Sequence, residues 1–123
     1  MKTKVNVLGT NYTIRKVSHG QDEYMQRMHF GGYCDGTLKE IVLLDLATVP
    51  DEGWRETPKE VIKARENETL RHELIHAFLN ESGLSWNTFI PDGAWAKNEE
   101  MVDWIAIQFP KISKVFIELG CEV

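Results

Sequence analysis

The stretch TPKEVIKARENETLRHELIHAFLNESG, residues 57–83, decides how this chain folds. Thr57 is an acceptable N-cap, Pro58 suits the first helical position, and Glu60 completes a capping box with Thr57. Gly83 supplies the stop. The predicted helix covers Pro58–Ser82. Its first half is polar apart from Val61, Ile62 and Ala64. Its second half carries Leu70, Leu74, Ile75, Ala77, Phe78 and Leu79 around most of the cylinder. A surface so wide asks for burial on several sides. The expectation is a central helix with a solvated N-terminal half.

Upstream, Val5–Leu8 and Tyr12–Val17 are β-rich runs separated by Gly9-Thr10-Asn11, which predicts an N-terminal hairpin. Gln21–Met28 reads as a short helix. Phe30–Asp35 and Leu38–Asp45 read as strands either side of Asp35-Gly36, a strong turn signal. Val49–Glu56 holds Pro50 and Gly53 and reads as a loop. Downstream, Leu84–Trp95 reads as a loop and Ala96–Phe109 as a second helix. Pro110 interrupts that helix, and Ile112–Leu119 gives a third, closed by Gly120. Strands first and helices second predict an α+β fold. A small antiparallel sheet of N-terminal hairpins packs on the central helix (58–82), followed by two C-terminal helices, within a single domain, 1–123.

Composition narrows the function. The chain has 123 residues, 14 Lys and Arg against 19 Asp and Glu, and a net charge of −5. A nucleic-acid binder needs a basic face, so no nucleic acid is expected as a partner. The same balance disfavours anionic membrane surfaces, and no apolar run approaches the roughly 18 to 20 residues of a bilayer span. The N-terminal residues lack the apolar stretch of a secretory signal. Cys34 and Cys121 are too few for a disulfide framework and read as small, reduced core residues. A cytoplasmic protein follows.

The chemistry lies within the central helix. His72-Glu73-Leu74-Ile75-His76 is an H-E-x-x-H motif. Residues four apart share a helix face, so both imidazoles can bind one Zn²⁺. Glu73 projects beside them, where a carboxylate can take a proton from an attacking water. The bland alternative is a helix with two surface histidines. It is weakened because all three residues lie where the helix turns apolar, and burial without partners is costly. A third donor is available downstream. Glu99 and Asp103 lie at i, i+4 spacing, so Glu99 can coordinate while Asp103 accepts from the far nitrogen of a ligand histidine. Glu100 points about 100° away and reads as solvated. An ordinary acidic first turn is the alternative for this trio.

These residues resemble a family. His72-Glu73-x-x-His76 followed by Asn98-Glu99-x-x-x-Asp103 resembles the gluzincin metallopeptidases. Glu99-x-x-Val102-Asp103-x-Ile105-Ala106 is similar to the E-x-x-A-N-x-F-A stretch of ImmA/IrrE-type peptidases of phage and prophage, with Val102, Asp103 and Ile105 as departures. The resemblance covers Thr69–Ala106. It implies a minimal zincin-like domain with His72, His76 and Glu99 as zinc ligands, Glu73 as general base and Asp103 behind the ligands. ImmA-like members cleave repressor proteins; the departures leave this chain's substrate open.

The expected function is that of a hydrolase: a zinc metallopeptidase acting on a protein or peptide substrate. The alternative is a catalytically inactive, zinc-stabilised protein-binding module of phage or prophage type. An oxyanion donor could come from Tyr33, with Tyr24, His19 and His29 behind it. Leu38–Asp45 could be an edge strand that pairs with an extended substrate, or an interior strand. Trp54, Trp86, Phe89 and Trp95 fall in predicted loops and read as small-core caps ahead of cleft walls. Arg65 and Arg71 read as solvated helix positions. Oligomeric state is left open.

Overall fold

The computed structural model describes residues 2–85 and 94–122. The fold is α+β, as expected. Strands β1 (Lys2–Val7), β2 (Thr10–Val17), β3 (Gly32–Asp35) and β4 (Glu40–Leu44) form one sheet in the order β1-β2-β4-β3. The helices are α1 (Glu23–Met28), α2 (Glu52–Arg55), α3 (Lys59–Glu81) and α4 (Glu99–Leu119).

The sheet is mixed, which corrects the antiparallel expectation. β1–β2 and β3–β4 are antiparallel hairpins, but β2 and β4 pair in parallel, with Ile14 beside Ile41. The chain leaves β2 through α1 and returns along β3, so β4 runs in the direction of β2. Leu38–Asp45 therefore contributes an interior strand, and β3 is the edge strand beside it.

Alternation sorts the side chains. Val7, Tyr12, Ile41 and Leu43 point to α3, where Ala77 meets them and Leu70 and Leu74 pack partly buried. Val17 and Val42 point the other way and bury Met25 of α1. α3 and α1 thus cover opposite faces. Phe78 on α3 is 44% exposed, so the apolar half of the helix is not buried all round.

One turn differs from expectation and one is as expected. The first hairpin turns on Leu8-Gly9, not on residues 9–11: Val7 pairs with Thr10, and both turn residues have positive φ, 49° and 94°. Such a two-residue turn follows the twist of the strands, and glycine adopts its conformation without cost. The second hairpin is closed by the Asp35 carboxylate, which accepts from the N–H groups of Thr37 and Leu38.

Helix boundaries also shift. Pro58, not Thr57, is the N-cap of α3, and the Thr57 hydroxyl donates to the Gly53 carbonyl, so the capping box does not form. Val49–Glu56 contains the one-turn helix α2, started by Asp51. At the C-terminus, a 3₁₀ turn over Trp95–Lys97 precedes α4, whose N-cap Asn98 accepts from Met101 N–H. The break expected at Pro110 does not occur: α4 runs through it to Leu119, and Gly120 caps it. Cys121 is exposed and Cys34 half-buried, so neither is a sealed core residue. No described helix is long and apolar enough to cross a membrane.

Candidate metal centre

α3 and α4 run antiparallel across the site, and four side-chain contacts join them. His72 Nδ1 and Asp103 Oδ1 are 2.7 Å apart. His72 Nε2 lies 3.0 Å and His76 Nε2 3.2 Å from the Glu99 carboxylate. Arg71 Nε donates to the Ala106 carbonyl at 2.7 Å. The two Nε2 atoms are themselves 3.1 Å apart. Neutral imidazoles with a proton on each Nε2 would avoid that approach. Asp103 resolves it for one ring: accepting from Nδ1–H, it leaves the Nε2 lone pair of His72 facing the site.

His72, Glu73 and His76 have donor atoms all within 4.8 Å of one another, close enough to hold a metal ion. Glu99 belongs with them on distance, since it is nearer to both imidazoles than Glu73, which stands 3.9 Å from His72 Nε2. Two ligands on a tetrahedral zinc at ordinary bond lengths are about 3.3–3.4 Å apart. The Nε2–Nε2 and Nε2–carboxylate separations of 3.0–3.2 Å fall just short of that spacing. The donors therefore fit a divalent ion of zinc's size. The imidazoles are 20% and 19% exposed, whereas Glu99 is 66% and Asp103 60% exposed, so the cluster opens to solvent on the α4 side.

Glu73 is different. It is 6% exposed, and burial pushes its carboxyl up to about 7, against the pull of His72 and with help from Glu99 and Asp103. Burial likewise lowers the His76 imidazole, opposed by Glu99.

A cleft of about 1110 Å³ contains these groups. Its far wall is β3 with the preceding Gly31. Gly32 lets that wall close on α3: a Cβ there would meet Thr69 Cγ2 at 2.8 Å and the Val42 carbonyl at 3.1 Å. Leu44 N–H donates to Gly31 O, and Tyr33 pairs with Val42, so the outward main-chain groups of β3 are those of Gly32 and Cys34. Asn80 Nδ2 donates to Cys34 Sγ at 3.8 Å. Burial, then Glu73 and Asp35, push the Cys34 thiol up to about 12.

Tyr33 lines the cleft, but its hydroxyl donates to Asp22 at 2.8 Å. Burial and that bond push the phenol up to about 12. Its proton is committed, which speaks against the oxyanion role. Tyr24 also lines the cleft and stacks edge-on against Phe30 and Tyr33. His19 and His29 lie instead along a smaller cavity of about 300 Å³ behind Phe30, Leu46 and Trp54. Trp54 is a cleft wall and Trp95 is 56% exposed, so neither caps a core; Trp86 and Phe89 lie outside the described residues. Arg65 is exposed at the cleft margin. Arg71 is not solvated as expected. Its partner carbonyl, four residues before Pro110, was the available signal.

Compared with protein-family models, curated proteins and solved structures, the chain matches none.

Proposed function

We propose that this protein is a small zinc-dependent metallopeptidase of the gluzincin type, similar to ImmA/IrrE-like peptidases, that hydrolyses peptide bonds of a protein substrate. His72, His76 and Glu99 would hold the ion. The observation that carries the reading is the convergence of those three donors at 3.0–3.2 Å with a buried carboxylate, Glu73, beside them and outside the triangle. When bound, zinc acidifies a coordinated water and polarises a carbonyl.

The chain's own residues supply the rest. Glu73, with a carboxyl near neutrality, accepts a proton from water at the site and returns it to the leaving amine. Asp103 orients the His72 ring through Nδ1. The outward main chain of Gly32 and Cys34 offers an extended peptide a strand to pair with, along the wall of the cleft. Free cysteines accord with a reducing, cytoplasmic setting.

Glu73→Gln tests the assignment. The amide cannot act as a base, so cleavage of a peptide library, read by mass spectrometry, is expected to be lost while one zinc per chain is retained. Cleavage at the wild-type rate would remove Glu73 from the mechanism. A specific alternative is a zinc-stabilised binding module without turnover. The grouping of Glu73 with both histidines within 4.8 Å motivates it, because a fourth protein donor would close the site. Loss of zinc in Glu73→Gln would support that closed site instead.

A further inference from the structure

Arg71 precedes His72 on α3, and its Nε–H reaches across to α4. The atom it reaches is unusual. In an α-helix the carbonyl of residue 106 accepts from the N–H of residue 110, and residue 110 is proline, which has none. Ala106 is 1% exposed, so its carbonyl cannot turn to water instead.

We propose that Arg71 is a positioning residue for the metal site. By donating to the Ala106 carbonyl that Pro110 leaves without its helical donor, it locks α4 against α3 in the register that brings Glu99 and Asp103 to His72 and His76. This rests on the metal-site reading above.

The geometry of the two helices supports the role. On α4 the tied positions are 99, 103 and 106, and on α3 they are 76, 72 and 71, a single antiparallel register. The histidine ties join groups whose charge changes with protonation and metal. The Arg71 tie depends on neither, because guanidinium is always charged and the acceptor is main chain. Packing alone fixes α4 weakly. Only Val102 and Ala106 are fully buried on it, while Trp104, Ile107 and Phe109 are 58%, 46% and 53% exposed. A slide of one residue between the helices would rotate Glu99 away from both imidazoles.

Zinc affinity, measured by competition with a chromophoric chelator, tests the role. Arg71→Ala is expected to weaken zinc binding about 10- to 100-fold, the range seen when a group supporting metal ligands is removed. The sign is diagnostic. If Arg71 acted only as a charge, its loss beside a cation site would tighten binding. Pro110→Ala gives the Ala106 carbonyl an N–H from its own helix but no tie to α3, so Arg71→Ala in that background is expected to weaken zinc binding by a similar factor. Affinity unchanged or improved in Arg71→Ala overturns the role, and so does rescue of that affinity by Pro110→Ala, which would mean that Arg71 only satisfies a buried carbonyl. Should Arg71→Ala alone fail to fold, the double variant, with that carbonyl satisfied, is expected to fold and to bind zinc weakly; wild-type affinity in it, or failure of both to fold, overturns the proposal. Wild-type protein that takes up no zinc would sink the metal reading itself. A zinc-binding wild type with an indifferent Arg71→Ala sinks only the positioning role.

Discussion

At the scale of single residues, the site depends on which ring nitrogen carries a proton. The 2.7 Å contact from His72 Nδ1 to Asp103 fixes that for one imidazole. Removing the acceptor frees the ring to rotate and to exchange tautomers. Asp103→Ala is therefore expected to lower zinc affinity about 10- to 100-fold. Asp103→Asn keeps a carbonyl oxygen at the same reach and is expected to retain most of the affinity, although it loses a charge. A chelator competition across the three proteins would check this, and equal affinity in Asp103→Ala would overturn it. The comparison also bears on the resemblance, since asparagine is the residue of the ImmA/IrrE-type pattern at that position. That His72, Glu73 and His76 come together, and that Glu99 and Asp103 share a face, was legible in the sequence because spacing on a helix fixes which side chains share a face. Arg71 was not legible. Its role depends on an acceptor on another helix, left open by a proline read only as a helix breaker.

At the scale of elements, propensity and tertiary context part company in a few places. Pro110 does not end α4, because the donor it removes is replaced from α3 and the helix continues to Leu119. The capping box at Thr57 fails because the helix starts one residue later, with Pro58 as N-cap and no side chain capping it. Strand identity was readable from β-branched runs and Asp-Gly, but strand order was not: parallel pairing of β2 with β4 is a long-range choice made by burial of Ile41, Val42 and Leu43 from both faces. The first hairpin carries a local conflict. Leu8 sits at φ 49° in a turn whose two positions both need positive φ, and it is 61% exposed, so its side chain gains little by way of compensation. Leu8→Asn would create Asn-Gly, the pair that such turns favour. It is expected to stabilise the fold by about 1 kcal/mol, since bulky L-residues meet a penalty of that order in left-handed backbone. The midpoint of urea unfolding should rise at unchanged slope; a fall would show that Leu8 packs usefully.

At the scale of the whole molecule, one carboxylate fastens the end of α3 to the sheet. Glu81, the last residue of α3, accepts from the Thr10 and Tyr12 hydroxyls of β2 at 2.8 and 2.7 Å and from Lys39 Nζ at 2.6 Å. The Lys39, Tyr12 and Thr10 hydrogen bonds hold its carboxyl down at about 2, well below the ordinary glutamate value. A carboxylate more acidic in the folded than in the unfolded chain binds fewer protons when folded. Its contribution is complete above the unfolded value near 4.5 and is lost as pH falls through about 2. Acidification across that window should therefore unfold the wild type more steeply than Glu81→Gln, whose amide has no proton to gain. The two proteins should differ most in stability above pH 5 and converge toward pH 2. Parallel stability curves over that range would mean that the cluster holds α3 by geometry alone. Convergence would mean that the helix bearing His72, Glu73 and His76 is anchored to the sheet by charge at its far end. Distance from the site then predicts a second result: Glu81→Gln should lower stability at neutral pH while leaving zinc affinity in the folded protein unchanged, because the groups it bonds, Thr10, Tyr12 and Lys39, are not those that His72 and His76 bond.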